Sequence, residues 1–290
     1  MKKKLTILGL CVVLVLAGVP IYTRFKRAHS FKKIENSASE YIKQSGIDCA
    51  VLIKDLTYPK LEFVYGRDKK FPAASIVKIH ILSAALKGVK EQKISLNTKI
   101  TIKRKDITGG SGKIKAMKLP VEFTFNELLE AMVAGSDNTA TNKVISLLSF
   151  DYINKSIEEL GGKNTILRRP MMDFVSRRKG IENYTDINDV AFFLEKIYNK
   201  HLVSRRLSEL ALSLLKKQKV NDRIPKLLPK DTIVAHKTGL ERGILHDAGI
   251  VFTDSGDYMI CVLSKGIKGY KQGKSFIAQL SLLVYDFYKK

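Results

Sequence analysis

Strand-like segments lie near both ends of this chain, and the long stretch between them has helical periodicity. Each segment is a short run of apolar and β-branched residues bounded by turn-forming residues. The segments cover residues 49–56, 61–65, 232–237, 248–252 and 258–263. Segments so far apart in sequence must meet in space if their apolar faces are to be buried. The distribution predicts one mostly antiparallel five-stranded sheet built from both ends of the chain.

Amphipathic segments flank these strands. Residues 31–43 and 274–288 carry apolar side chains at helical spacing, and further helical segments fill the middle of the chain. We therefore predict an α/β fold of the α+β type, with terminal helices flanking the sheet. The α/β part covers about residues 31–72 and 220–290, and an all-α subdomain covers about residues 73–219. A ligand site is expected where the two parts meet.

Residues 1–30 differ from the rest of the chain. Three lysines precede eighteen largely apolar residues, Leu5 to Tyr22, and a helix of that length spans roughly 27 Å, close to the thickness of a bilayer core. We interpret the segment as a signal anchor or a cleaved signal peptide with a basic linker, and we favour the uncleaved anchor. The domain of residues 31–290 is then expected outside the cytoplasm, either membrane-anchored or secreted.

The chain is strongly basic, with a formal net charge of +23. Residues 1–30 contain six of the 51 Lys and Arg residues and none of the 28 acidic ones, which leaves 45 basic against 28 acidic side chains in residues 31–290. Such a surface attracts polyanions, here anionic cell-envelope polymers and lipid headgroups. Nucleic acid is not expected, because no motif for it is present. A solvated, lysine-rich surface without a partner is the alternative.

Three short motifs in a fixed order indicate the chemistry. They match the patterns S-x-x-K, S-D-N and K-T-G, and they are Ser75-Ile-Val-Lys78, Ser136-Asp137-Asn138 and Lys237-Thr238-Gly239. S-x-x-K alone is weakly specific, since it also occurs at Ser30, Ser176 and Ser213. Ser75 differs because Pro72 precedes it and a long apolar run follows, which predicts a helix that begins at the serine.

The residue types of the three motifs suit acyl transfer to a serine. We predict Ser75 as the nucleophile, which needs a base to accept its proton. Lys78 can be that base if burial or a nearby cation lowers its pKa, and Lys237 is a candidate for that cation. Ser136 is placed to pass the proton to the leaving nitrogen.

The remaining motif residues are predicted to bind the substrate. Asn138 offers a donor and an acceptor for a substrate amide, and Lys237 with Thr238 can hold a substrate carboxylate at the end of a strand. Gly239 permits a close backbone approach. The N–H groups of Ser75 and Leu240 are candidates for an oxyanion hole. Asp137 is expected to tie loops together and to take no part in catalysis.

No metal or cofactor is predicted. The histidines are scattered without metal-ligand spacing, and no C-x-x-C motif is present. Cys49 and Cys261 lie in strand-like runs. Two buried free thiols are the favoured interpretation, and a disulfide between neighbouring strands is the alternative.

The motifs, their spacing and the strand order resemble those of class A β-lactamases and penicillin-binding transpeptidase-type domains. The resemblance covers about residues 31–290 and extends to Thr139-Ala-Thr-Asn142 and to His246-Asp-Ala-Gly-Ile-Val251. It implies the β-lactamase/transpeptidase-like fold and a covalent acyl-serine intermediate with a β-lactam or a peptidoglycan-like peptide. We expect the protein to be a monomer.

One departure from the family pattern concerns deacylation. Class A enzymes carry a Glu in the long loop that activates the deacylating water, within an E-x-x-x-N element. In this chain Met171 stands at the Glu position and Val175 at the Asn position. Asp173 and Glu182 are nearby carboxylates, but neither has the family's spacing. We therefore expect an acyl-enzyme that forms and persists, and weak β-lactamase turnover.

Two other functions stay open at this point. A D-Ala-D-Ala carboxypeptidase or other wall-peptide enzyme is favoured by the absent loop Glu, whereas the compact size favours the β-lactamase-like hydrolase. A non-enzymatic module that binds the cell wall is the third possibility. The presence of Ser75, Lys78, Ser136 and Lys237 together argues against it, because a binding module has no need of all four.

Overall fold

The computed structural model describes residues 26–289, and strands from both ends of the chain meet in one sheet. Its order is β2-β1-β9-β8-β7, and every neighbouring pair is antiparallel, which confirms the predicted sheet. The strands are β1 (Asp48–Asp55), β2 (Glu62–Tyr65), β7 (Val234–Glu241), β8 (Ile244–Val251) and β9 (Tyr258–Lys265).

Helices cover both faces of this sheet. Cys49, Val51 and Ile53 of β1 point to the face covered by α1 (26–45) and α9 (Tyr270–Tyr288). Ala50 and Leu52 alternate with them and point to α2 (Val77–Lys90) and α7 (Ile187–Tyr198). The central strands are apolar almost throughout because each face of the sheet is buried.

The middle of the chain forms a helical block around α2, which is buried over its first ten residues. The other helices of the block are α3 (Phe125–Ala134), α4 (Asn138–Leu148), α5 (Phe150–Glu159) and α8 (Arg205–Lys216). The start of α3 is a capping box, in which Thr124 Oγ1 accepts from the Glu127 N–H and the Thr124 N–H donates to the Glu127 carboxylate.

The block is not purely helical, which differs from the all-α subdomain expected from the sequence. Two pairs of short antiparallel strands occur beside the helices, and they are β4 (Lys99–Ile102) with β5 (Val121–Thr124) and β3 (Lys70–Pro72) with β6 (Tyr184–Asp186). These strands have only three or four residues each, which is too short for a reliable alternation of apolar and polar side chains. Their pairing partners also lie far away in the sequence. The segment 163–186 also contains a short helix, α6 (Phe174–Arg178).

The two cysteines of the described chain are buried free thiols, which confirms the favoured interpretation. In the antiparallel register of β1 and β9, Cys49 lies opposite Ser264 and Cys261 lies opposite Leu52. An offset of three residues places the two side chains on opposite faces of the sheet. A disulfide between them is therefore sterically impossible in this fold.

The terminal helices are joined through one buried carboxylate. Asp55 Oδ2 accepts from Arg27 Nε at 2.6 Å and from the Tyr288 hydroxyl at 3.1 Å. Residues 26–30, which the sequence assigned to a basic linker, are thus helical and packed on the domain. The predicted anchor segment lies outside the described residues, and none of the helices of residues 26–289 is long and apolar enough to cross a membrane.

Asp137 joins two segments of the helical block, as the sequence indicated. Its Oδ1 accepts from the Ala140 N–H at 2.9 Å and so caps α4, while its Oδ2 accepts from the Ile114 N–H at 3.0 Å. The side chain is buried, so both bonds are shielded from water. Loop 109–114 is thereby fixed to the start of α4.

We expect Asp137→Ala to lower the free energy of unfolding by about 1–3 kcal/mol, because it removes a helix cap and leaves a buried N–H unpaired. Urea or thermal unfolding monitored by circular dichroism measures the loss. Asp151→Ala is the matched control, since Asp151 is an exposed acid in the first turn of α5, and its removal is expected to cost less than about 1 kcal/mol. Equal losses for the two variants would contradict the proposed tie.

Candidate active site

Ser75 lies at the edge of a cleft between the sheet and the helical block. It belongs to a 3-10 turn, Ala74–Ile76, that leads directly into α2, so the serine precedes the α-helix rather than lying in its first turn. Ala74 has the left-handed φ of +44°, which is uncommon for a residue with a Cβ atom. Ser75 is half-buried and lines a cavity of about 780 Å³, which we call the cleft.

Lys78 is fully buried one helical turn after Ser75. Its Nζ lies 2.8 Å from the Ser136 carbonyl oxygen, 2.9 Å from Asn138 Oδ1 and 3.1 Å from Ser136 Oγ. Burial holds the pKa of Lys78 well below its usual value, and the Lys237 ammonium group lowers it further. Both causes expected from the sequence are therefore present. The Ser75 hydroxyl itself has no hydrogen-bond partner among the described residues.

Lys237 approaches the same serine from the opposite side. Its Nζ donates to Ser136 Oγ at 3.0 Å and to the Thr238 carbonyl oxygen at 2.9 Å. Burial lowers the pKa of Lys237 to about 7; the Asp247 carboxylate opposes this shift and the Arg223 guanidinium adds to it. A single hydroxyl group thus lies between two buried amines, and burial lowers the pKa of both.

The segment between α3 and α4 brings the second motif to the cleft. Ser136 has the left-handed φ of +51°, and this turn directs its hydroxyl towards the two lysines. Asn138 Oδ1 accepts a hydrogen bond from Lys78 Nζ, and Asn138 Nδ2 donates to the Gly109 carbonyl at 3.0 Å. Its side chain lines the cleft, where it can meet a substrate amide.

The third motif lies within β7, not at its end as expected, because the strand continues to Glu241. β7 is the edge strand of the sheet, so its outer side offers backbone groups that no neighbouring strand uses. A Cβ atom on Gly239 would lie 3.1 Å from the His246 side chain and 3.2 Å from that of Ile76. Glycine therefore lets β7 approach the turn that carries Ser75, and Leu240 lines the cleft beyond it.

Two residues that support the site were not identified from the sequence. His246 Nε2 donates to the Pro72 carbonyl at 2.9 Å while its Nδ1 accepts from the Ser264 N–H at 3.0 Å, so the ring joins β8 and β9 to the segment before Ser75. Burial lowers the pKa of His246 to about 4, and the ring stays neutral. Arg223 is the second, a buried cation that acts on Lys237. His246 begins a segment that carries the family resemblance, but no local pattern assigns a supporting role to it or to Arg223, and their burial beside the site reveals that role.

Met171 occupies the wall of the cleft at the position where the family's pattern has its glutamate. Its side chain is buried and lines the cleft. The Asn142 amide fixes its backbone, because Asn142 Oδ1 accepts from the Met171 N–H at 2.8 Å and Nδ2 donates to the Met171 carbonyl at 3.1 Å. The loop is thus held at the cleft while the side chain it presents has no acid–base function.

The two nearby carboxylates are engaged elsewhere. Asp173 caps α6 through the Ser176 N–H and hydroxyl, at 3.0 and 2.6 Å, and these bonds hold its pKa below the usual value. Glu182 is buried and accepts from Arg169 Nε at 2.8 Å and from the Asn183 N–H at 2.8 Å. Val175, at the family's Asn position, is exposed on α6. Across residues 26–289, no group of three or more His, Cys, Asp or Glu side chains could hold a metal ion.

Comparisons with known proteins agree with this geometry. A family model described as the β-lactamase enzyme family matches residues 31–288. The extended-spectrum β-lactamase PER-1 of Pseudomonas aeruginosa is 26% identical over 286 residues, which cover 89% of this chain and 91% of PER-1. A β-lactamase of Phocaeicola vulgatus is 27% identical over 234 residues, covering 74% of this chain and 73% of that enzyme.

Solved structures show the same fold. A mutant of PBP-A, in an acyl-enzyme complex with penicillin G, matches with a TM-score of 0.77 and 28% identity, covering 89% of this chain and 95% of PBP-A. The TLA-3 extended-spectrum β-lactamase matches with a TM-score of 0.80 and 22% identity, covering 89% and 99% of the two chains; this second likeness bears on the fold alone. The chain therefore belongs to the β-lactamase enzyme family and is a class A-like serine hydrolase.

Proposed function

We propose that Ser75 forms an acyl-enzyme with β-lactams or related D-peptides and esters, and that this acyl-enzyme is hydrolysed slowly. The observation that carries the proposal is the Ser136 hydroxyl, which lies within 3.1 Å of two buried lysine amines behind the cleft that Ser75 lines. A structural role explains neither two buried lysines nor their shared partner, since burying such charges is costly.

Acylation uses Lys78 as the base. Its lowered pKa favours the neutral amine, whose lone pair can accept the Ser75 proton as Oγ attacks the carbonyl carbon of the substrate. The base–nucleophile contact forms when substrate fills the cleft, because such contacts often tighten only in the complex. The proton then passes from Lys78 through the Ser136 hydroxyl to the leaving nitrogen as the C–N bond breaks.

β7 holds the substrate in line with the nucleophile. A protonated Lys237 and the Thr238 hydroxyl bind the substrate carboxylate, and the free edge of β7 accepts the substrate as an additional strand. The N–H groups of Ser75 and Leu240 stabilise the oxyanion of the tetrahedral intermediate. Asn138 binds the amide of the acyl group from the opposite wall.

Deacylation lacks a base at the loop. Hydrolysis of the acyl-serine needs a group that takes a proton from the attacking water, and the Met171 thioether cannot do so. Asp173 and Glu182 are bound to Ser176 and to Arg169. The covalent adduct is therefore expected to persist.

The natural substrate of this acylation is a separate question from its mechanism. A D-Ala-D-Ala carboxypeptidase or other wall-peptide enzyme fits the same acylation machinery, and the missing loop base favours it over an efficient β-lactamase. A mutant of PBP-A has been solved as an acyl-enzyme complex with penicillin G, in line with acylation by a penicillin in this chain too. We further propose that the protein is monomeric and lies outside the cytoplasm, membrane-anchored or secreted, where its basic surface contacts anionic envelope polymers.

Incubation with benzylpenicillin is expected to add the mass of the intact drug to the protein, and intact mass spectrometry over time measures the adduct. Ser75→Ala removes the nucleophile and should abolish it. Ser213→Ala is the matched control, since Ser213 begins another S-x-x-K string and is exposed on α8; the adduct should form there as in the wild type. Full consumption of drug with no lasting adduct would contradict slow deacylation.

Met171→Glu supplies a carboxylate at the wall of the cleft, and we expect it to speed loss of the adduct by roughly 10²–10⁴-fold, the usual contribution of general base catalysis. The decay of the adduct mass after removal of free drug gives the rate. Met171→Gln has nearly the same size but no basic group, so it separates chemistry from packing. Equal decay rates for the Glu and Gln variants would show that the missing base is not what limits hydrolysis.

We expect the second-order acylation constant to fall as the pH rises through about 7, because Lys237 then loses the charge that binds the substrate carboxylate. The rate of adduct formation, measured from about pH 5.5 to about pH 9 in steps of about 0.5 pH unit, follows this decrease. Lys237→Arg retains its charge over that range and should remove the decrease. If the Arg variant keeps the same fall near pH 7, another group is responsible.

A further inference from the structure

The wall of the cleft contains an excess of arginine. Two of its arginines are neutralised by carboxylates: Arg169 Nη2 lies 2.7 Å from Glu182 Oε1 and 3.0 Å from Glu241 Oε1. Arg177 pairs with the same two carboxylates, at 3.3 and 3.0 Å. These four residues form a charge-balanced network that joins the long loop to the end of β7.

Arg178 and Arg242 lie outside this network. Both line the cleft and both are exposed. Within residues 26–289 neither side chain has an ion pair, a hydrogen bond or a ring contact. Their charges are therefore uncompensated at the mouth of the same cavity that holds Ser75, and one is contributed by α6 and the other by the turn after β7.

The order of groups along β7 tells which part of a substrate reaches these arginines. In the proposed complex, Lys237 and Thr238 bind the carboxylate on the leaving side, and the Leu240 N–H donates to the scissile carbonyl. Arg242 follows two residues later, roughly 7 Å further along at the usual rise per strand residue. A substrate aligned on the β7 edge must therefore extend its acyl portion towards Arg242, and towards α6 across the cleft.

We infer that Arg178 and Arg242 form a second anion subsite, which selects substrates that carry a carboxylate on the acyl side of the scissile bond. The inference rests on the proposed acylation of Ser75 and specifies its substrate class as acyl groups with an acidic substituent, such as peptides with an acidic side chain. Met172, Phe174 and Leu240 are exposed apolar residues that also line the cleft and can contact the hydrocarbon part of that group.

The test compares two penicillins that differ by a single carboxylate, benzylpenicillin and its α-carboxy analogue carbenicillin. The readout is the ratio of their acylation constants, carbenicillin over benzylpenicillin, from intact mass spectrometry. Two exposed ion pairs are worth roughly 2- to 30-fold in that ratio, and Arg178→Gln with Arg242→Gln should lower it by this factor. Salt at about 0.5 M should lower the wild-type ratio as well, because exposed pairs are screened.

Two further variants separate the subsite from general effects. Arg206→Gln removes one exposed positive charge from α8, outside the cleft, and should leave the ratio at the wild-type value. Arg242→Lys keeps the charge and should retain most of the preference.

Each outcome decides a different claim. Adducts with both drugs and a ratio that the Arg178 and Arg242 variants do not change would overturn the subsite and leave the proposed function standing. An equal drop in Arg206→Gln would also overturn it, because net charge would then be the cause. Absence of an adduct with either drug would instead contradict the proposed function itself.

Discussion

The contact on which the site depends is that of one hydroxyl group, Ser136 Oγ, with two buried lysines. Two ammonium groups cannot both remain charged so close together in a dry interior without a large electrostatic cost. Burial lowers the pKa of Lys237 to about 7, and burial together with the Lys237 ammonium group holds the pKa of Lys78 well below its usual value. The same arrangement that disfavours charge makes one amine a base and leaves the other available to bind a carboxylate.

Three segments distant in sequence must be held in register for this contact to exist. α2 carries Lys78, the turn before α4 carries Ser136, and the edge strand β7 carries Lys237. The burial of α2 between the sheet and the helical block fixes the first, and the Asp137 carboxylate fixes the second. Gly239 and the neutral His246 ring bring β7 close to the turn of Ser75. The fold thus acts as the scaffold that makes two unfavourable burials tolerable.

The long loop keeps its position at the cleft although it carries no base for deacylation. Asn142 anchors its backbone and the network of Arg169, Arg177, Glu182 and Glu241 joins it to β7. Its position at the cleft is therefore secured by contacts that do not involve the side chain of Met171. Acylation and hydrolysis are physically separable in this fold. The base for hydrolysis would be a single side chain on the loop, whereas other residues hold the loop in position.

The sequence alone determined the five-stranded sheet, the helices at both ends and the three motifs of the site. These are local signals, because periodicity and short motifs each depend on residues within a few positions of one another. The short strands β3 to β6 and the extension of β7 past Gly239 depended on pairing partners far along the chain. Only the tertiary structure decided that Cys49 and Cys261 face opposite sides of the sheet, and that Asp173 is bound to Ser176 and Glu182 to Arg169. Burial, charge compensation and the spare arginines at the cleft arise from distances between distant residues, which no local pattern encodes.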